Sequence, residues 1–357
     1  VMVYSASAVF ASTRLNDSAH FLWRQVVFAT IGAAALYLGW RVDYQWYRRA
    51  MWPLVAFIGA LLVAVLIPGV GRAGGGAMRW IPLGMFALQP GEFAKPIVVI
   101  ALAAALARRS ERQAAGQPAP ALWAPLVIPG VLMVLLLLEP DFGSAVILGL
   151  LTFVLLFVGG ARIGYLLLAA LCALPVLYHL VSSSPYRMKR LLSFLDPWSH
   201  RHDIGYQVSE SLISIGSGGP IGLGIGDGRQ KLFFLPAAHT DFIFSIIGEE
   251  LGLLGVLFVV GCFACIVVAG FLIARRATSV FGGYLALGLT SLVGLQAGVN
   301  MAVTLGLLPT KGLTLPLVSY GGSSLIATCF ALGLLLNVDA TDAIDARADE
   351  GGRRGGR

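Results

Sequence analysis

FIFSIIGEELGLLGVLFVVGCFACIVVAGFLI, residues 242–273, carries charge only at Glu249 and Glu250. A hydrocarbon core about 30 Å thick is crossed by roughly 20 helical residues rising about 1.5 Å each, so a run of this length reads as a membrane-spanning helix. Outward from it the same signal recurs at 21–40, 51–69, 92–107, 122–138, 144–160, 164–182, 283–303 and 323–336, giving nine spans. Backbone groups in lipid must find their partners within the segment, which makes these spans helices and not open sheet. Apolar residues fill 57% of the 357 positions and charged residues 12%, against ~25% charged in soluble domains, so a soluble protein is excluded. The predicted class is an all-α polytopic integral membrane protein. VMVYSASAVFAS (1–12) is apolar but too short to cross, and reads as the outer end of a tenth span that begins upstream.

The net charge of +7 is unevenly placed. One set of alternating loops holds Arg41, Arg48, Arg49, Arg108, Arg109, Arg112, Arg162, Arg275, Arg276 and the tail arginines, whereas the short loops of the other set hold Arg14, Arg72, Arg79 and Lys311. The positive-inside rule puts the first set and the C-terminus in the cytoplasm. Residues 1–337 then form one transmembrane domain, and the polar, Gly/Arg-rich stretch 338–357 is expected to be a disordered cytoplasmic tail. Residues 183–241 form one long outer segment, expected to carry short helices that lie in the interface and partly dip into it. The Gly/Pro-rich loops 70–91 and 304–322 suggest re-entrant backbone resting on the helices.

Several chemistries are excluded. Cys262 and Cys265 have CxxC spacing but sit in an apolar helix without partner ligands, and the five histidines are scattered, so no disulfide framework, zinc site or haem is expected. GPIGLGIGDGRQK (219–231) lacks a preceding strand and a GK[ST] ending, which rules out a nucleotide loop. Its glycines instead permit tight turns and close backbone packing. No nucleic-acid site is expected.

Four stretches carry the candidate chemistry. In LPAAHTDFIFSIIGEELG (235–252), Thr240 reads as a helix cap with Asp241 in the first turn, or Asp241 is a carboxylate at the interface, usable as general base or metal ligand. Beside it stands His239. Glu249 and Glu250 lie ~12–14 Å further along the helix, where a carboxylate costs ~2.5–3.5 kcal/mol unless paired or watered. Gln296 and Asn300, at i and i+4 on the next span, are their candidate neighbours. In MRWIPLGMFALQPGEFAK (78–95), Glu92 and Lys95 are spaced for an intrahelical ion pair, with Arg79 just upstream. EPDFGS (139–144) places Glu139 and Asp141 in a short turn, with Asp141 by default a cap. PYRMKRLLSFLDPW (185–198) offers Arg187 and Arg190 either to an anionic head group or to ordinary anchoring by snorkelling. Arg79, Lys95, Arg187, Arg190 and Lys311, with Asp141 and Asp241, exceed what anchoring needs and suggest a lipid-linked, pyrophosphate-bearing substrate.

LPAAHTDFIFSIIGEELG, PYRMKRLLSFLDPW and QPGEFAK (89–95), with GYQVSESLISIGSGGPIGLGIGDGRQK (205–231) and LLPTKGLTLPLVSYGGSS (307–324), resemble the motifs of the SEDS family of shape, elongation, division and sporulation proteins, over residues 1 to about 337. The resemblance implies ten transmembrane helices, the first truncated here, with a large extracytoplasmic loop between the seventh and eighth. It implies a peptidoglycan glycosyltransferase that polymerises lipid II at the outer face of the bacterial inner membrane, with Asp241 matching the essential aspartate. Glu92 and Lys95 match the family's ion pair, Asp141 its short-turn acid, and Arg187 and Arg190 its basic loop residues. Ser319 and Tyr320, in the last motif, count with His239 and Thr240 as supporting polar residues. PTKGLTLPLVSYGG and IGEELG look like the division member, hence septal wall synthesis, more than the elongation member. Implied partners are a class B penicillin-binding protein transpeptidase and other divisome membrane proteins. A divalent cation, Mg²⁺ or Mn²⁺, is admitted, with Asp241 left open as base or metal ligand. Position 237 is Ala where relatives usually carry Glu, and no role is assigned to it. Two rival readings remain: a lipid II flippase, which should show an internal repeat with broken helices in matching positions and shows none in the sequence, and a non-catalytic scaffold.

Overall fold

The computed structural model describes residues 1–357 apart from 75, 76, 85, 122, 184, 200, 202–204, 233, 311, 356 and 357. Each predicted span is a helix: α2 (His20–Arg41), α4 (Met51–Leu66), α5 (Pro90–Ala114), α6 (Val127–Leu138, entered by a 3-10 turn at Ala124–Leu126), α7 (Phe142–Val158), α8 (Ile163–Ser182), α11 (Ile243–Arg276), α12 (Val280–Thr304) and α13 (Gly322–Gly355). Ahead of them lies α1 (Met2–Leu15), closed by Asn16 in the left-handed conformation, a common helix stop. The short α3 (Tyr44–Arg49), α9 (Pro185–Leu195) and α10 (Tyr206–Gly218) lie between spans. Among the described residues five helices are long and apolar enough to cross a bilayer, and four shorter apolar ones accompany them. The chain is a multi-pass membrane protein.

Packing groups the chain into two compact units. One comprises residues 1–27, 162–264 and 295–322, the other 28–161, 265–294 and 323–357. In the second unit α5 is the central helix: it packs on α4, α6 and α7, and is buried almost continuously from Pro90 to Ala107. Its Ala-rich centre (Ala101, Ala103, Ala104 and Ala107) adds little side-chain bulk and keeps neighbours close.

Three features go beyond the sequence reading. Residues 70–91, expected as re-entrant backbone resting on the helices, carry strands: β1 (Arg72–Gly74), β2 (Ala77–Leu83) and β3 (Phe86–Leu88) form an antiparallel sheet in that order, with Arg72 opposite Trp80 and Leu83 opposite Phe86. The β2–β3 turn uses Gly84 at φ +63°, which a two-residue hairpin turn requires, and the ladder satisfies backbone that would otherwise need a helix. Beyond residue 337, α13 extends to Gly355; NVDATDAIDARADE (337–350) is rich in Ala and lacks proline, which favours helix there. Finally, α11 is interrupted at Gly252, where φ is +65° and ψ −161°.

That interruption explains the glycine-rich 219–224 stretch. A break leaves carbonyls and N–H groups unpaired, which is costly at membrane depth. Leu223 and Gly224 donate to the carbonyls of Glu249 and Glu250, each at 3.0 Å, while Leu253 and Leu254 donate to the carbonyls of Gly219 at 2.9 Å and Pro220 at 3.2 Å. The strap replaces the hydrogen bonds of the missing turn. Gly222, at φ +89°, faces Gly252, and a Cβ on either would collide with the other's backbone. The glycines serve close backbone approach, as the sequence suggests.

Candidate active site

The His-Thr-Asp run just before α11 is shaped by backbone first. Ala237 sits at φ +56°, a conformation that non-glycine residues rarely adopt, and its carbonyl accepts the N–H groups of Thr240 and Asp241 at 3.1 Å and of Phe242 at 3.4 Å. Thr240 Oγ1 also donates to that carbonyl, at 3.2 Å. Thr240 is therefore spent within the turn and does not cap α11 as its position predicts.

The next three carbonyls are each held from the segment that links α12 to α13, or from α12 itself. Tyr320 N–H donates to His239 O at 2.9 Å, Ser319 Oγ to Thr240 O at 2.5 Å, and Asn300 Nδ2 to Asp241 O at 2.9 Å. The holders are themselves held: Asn300 Nδ2 also donates to Leu313 O at 2.5 Å, Ser319 Oγ accepts Leu315 N–H at 2.8 Å, and Arg190 Nη1 donates to Thr310 O at 3.3 Å. The result is a clamp on the main chain of Asp241 that leaves its side chain half-buried beside exposed Gly312. A Cβ at Gly312 would stand 3.2 Å from Asp241 Oδ2, so glycine there keeps the approach to the carboxylate open.

His239 lies among aromatic rings, 4.8 Å from Phe21, 5.9 Å from Tyr320 and 6.0 Å from Phe10 between centroids. Burial lowers its pKa, so at neutral pH it is an uncharged wall of the site and not a proton donor. Burial also raises Tyr320, opposed by the nearby Arg24. Arg187 and Arg190 are half-buried on α9, three residues apart and so on one side of it. Lys311 lies outside the described residues.

Glu249 and Glu250 are buried in the same unit, and Asn300 is not their neighbour as predicted, being committed to Asp241 O and Leu313 O. The glutamates are met instead by the backbone of Arg229 and Gln230, by Ser214, Lys231 and Ser5. Gln296 is buried. Lys231 and Ser5 escaped the sequence reading, because their partners lie 19 and 245 positions away.

In the other unit, Asp141 caps α7 as its position predicts. It accepts Ser144 N–H at 3.2 Å and Ser144 Oγ at 2.9 Å, receives Gln89 Nε2 at 3.3 Å, and is 2% exposed. Arg79, on β2, donates to Pro140 O and stands 4.0 Å from Asp141. Glu139, in the same turn, is buried with Oε1 unpartnered; burial and the charge of Asp141, partly offset by Arg79, push its pKa up to about 8. Lys95 and Glu92 form the intrahelical pair at 2.6 Å. With Lys95 1% exposed, its ammonium faces Glu92 inside the protein and not a phosphate, which corrects the ligand-binding expectation: a buried cation at this depth needs its partner.

For a resident metal the donor set is thin. Among the described residues no three His, Cys, Asp or Glu side chains gather, and Asp241 offers one carboxylate. Mg²⁺ is usually held by one or two carboxylates together with waters and substrate phosphates, a donor set that Asp241 would fit.

The comparisons bear on this geometry. A family model described as "Cell cycle protein", covering FtsW, RodA and SpoVE, matches residues 1–343. The chain belongs to this family. Among its relatives, the probable peptidoglycan glycosyltransferase FtsW of Alkalilimnicola ehrlichii is 48% identical over 345 residues, covering 95% of this chain and 85% of the relative. The protein of the same name from Geobacter metallireducens is 45% identical over 339 residues, covering 95% and 90%. In structure, the chain is similar to one in a peptidoglycan synthase complex (TM-score 0.76, 31% identity, covering 96% and 97%) and to the rod shape determining protein RodA of Thermus thermophilus (TM-score 0.67, 30% identity, covering 96% and 94%). The family's multi-span helical fold is that of the present chain.

Proposed function

We propose that this chain is a peptidoglycan glycosyltransferase of the division type, polymerising lipid II, with Asp241 as the general base. The relatives named FtsW support the activity and the division assignment. The observation that carries the site is the clamp: three successive carbonyls, at 239, 240 and 241, are fixed by hydrogen bonds, while the carboxylate between them stays half-buried at an exposed glycine. Catalysis by a positioned base needs that combination of a rigid main chain and a reachable side chain.

In the reaction, the 4-hydroxyl of the acceptor's terminal GlcNAc attacks the anomeric carbon of the donor's MurNAc. The new C–O bond forms as the bond from that carbon to the pyrophosphate oxygen breaks, the anomeric centre inverts, and undecaprenyl pyrophosphate leaves with the electron pair. Asp241 takes the hydroxyl proton, a contribution of roughly 10²–10⁴-fold for such groups. Arg187 and Arg190 are proposed to stabilise the charge that develops on the leaving phosphates, with Lys311 as a further cationic candidate. A divalent cation, Mg²⁺ or Mn²⁺, would be held with the substrate's phosphates and would help neutralise the leaving group's charge. The site is assigned to the periplasmic face of the bacterial inner membrane by the distribution of arginines. A class B penicillin-binding protein is the proposed partner, consistent with the similarity to a chain of a synthase complex.

The test is Asp241→Asn in detergent with purified lipid II and the partner. Glycan-strand formation should fall by roughly 10²–10⁴-fold with lipid II KM and melting temperature unchanged; strands made at the native rate would refute the base. Detergent also separates polymerisation from flipping, which has no meaning without a bilayer.

A further inference from the structure

Two glutamates inside α11 gather the preceding chain back onto the helix. Glu249 Oε1 accepts the N–H groups of Arg229 at 2.7 Å and Gln230 at 3.2 Å, and Oε2 accepts Ser214 Oγ at 3.2 Å. Glu250 Oε1 receives Lys231 Nζ at 2.7 Å, and Ser5 Oγ of α1 lies 2.7 and 2.8 Å from the two Glu250 oxygens. Lys231 Nζ also donates to Ser5 Oγ at 3.1 Å. The side chains of Lys231 and Glu250 are 5% and 0% exposed.

An ion pair buried this fully gives little net stability over apolar side chains of similar volume. Its position suggests another use. Asp241 lies midway along the segment that runs from Lys231 to Glu250, so the pair closes that segment at its two ends. We infer that Lys231, Glu250 and Ser5 form a buried staple that positions Asp241; the inference rests on the catalytic reading of Asp241.

Little slack separates staple from carboxylate. Leu235 N–H donates to Gln230 O at 2.9 Å. Leu235, Ala238, Phe242 and Ile246 then pack with Ala6 of α1, the neighbour of Ser5. The Ala237 turn leads directly into Asp241. On the far side, the strap at Gly219–Gly224 fixes the carbonyls of Glu249 and Glu250. One residue of α1 therefore holds the staple and the next holds the packing between staple and site. Lys231, Glu250 and Ser5 are positioning residues: they act through the main chain that ends at Asp241.

The experiment uses the full chain with its transpeptidase partner and lipid II. The double variant Lys231→Met/Glu250→Leu removes both charges and leaves neither buried alone. It should melt close to the native protein and keep the native KM, while kcat falls by about 10²-fold, the scale of a 1 Å misplacement of a catalytic group. Ser5→Ala removes only a hydroxyl, and should lower kcat by about 5-fold, the equivalent of one hydrogen bond; it decides the question if the double variant does not accumulate. Native kcat in the variant that folds, or a rise in KM at unchanged kcat, overturns the staple. Asp241→Asn is run alongside. Full turnover in that variant defeats the catalytic reading itself, whereas an inactive Asp241→Asn beside a fully active staple variant defeats the staple alone.

Discussion

At Asp141 the carboxylate itself is consumed by structure: it caps α7, takes Ser144 Oγ and Gln89 Nε2, and lies almost wholly buried. At Asp241 hydrogen bonds hold the main chain, from Asn300 to its carbonyl and from Ser319 and Tyr320 to the two before it, and the side chain is half-buried. Both are aspartates at the start of a helix, and position alone gives them the same reading. The difference teaches that exposure, and not position at a helix start, separates the two: Asp141 is almost wholly buried, whereas Asp241 is half-buried beside an exposed glycine. Around Asp241 the main chain is fixed by Ala237, Asn300 and Ser319; in the unit that holds Asp141, Lys95 pairs with Glu92.

The comparison can be broken most sharply at Lys95. Lys95→Met leaves Glu92 charged and buried without its ammonium, and should cost about 3–5 kcal/mol of stability, read as loss of folded protein in detergent melting; a native melting curve would show that the pair is not structural. In the other unit, Asn300→Ala should spare folding and lower polymerisation kcat by roughly 10-fold at constant KM, since it releases the carbonyl of Asp241 and a precise geometry is lost. A change confined to melting temperature would place Asn300 with the structural group. Asp141→Ala should cost about 1–2 kcal/mol, the usual worth of a helix N-cap, and an equal or larger loss of kcat in a variant that still folds would erase the contrast between the two aspartates.

A pH dependence is expected at Glu139. Its pKa is raised from 4.5 to about 8 by burial and by Asp141. Below the unfolded value both states are protonated and nothing is lost. As pH rises from there through about 8, the unfolded chain gives up its proton more readily than the folded one, and stability declines. Glu139→Gln removes this decline, so its melting temperature should exceed the native one by more at pH 9 than at pH 5. An equal difference at both values would contradict the shift.

Much of this was legible from the residues. The spans, the fold class and the candidate acids follow from apolar runs and from the few charges that interrupt them. The ion pair of Glu92 and Lys95 and the cap at Asp141 were readable because their partners are three positions away. The clamp was not, since Asn300 and Ser319 reach their carbonyls from 59 and 79 positions away. Nor was the break at Gly252, because glycine within an apolar run is common and only the strap from 219–224 makes the interruption affordable. The hairpin at 72–88 was missed for a related reason: its strands are short, and their ladder exists only once Gly84 has turned the chain.

What the sequence determined alone was where the chain crosses the membrane, because hydrocarbon obliges each apolar run to close its hydrogen bonds with its own neighbours in sequence. What only the tertiary structure decided was which polar residues meet. Buried carboxylates and carbonyls take whichever donor the fold delivers, and for Asp241, Glu249 and Glu250 those donors come from distant parts of the chain.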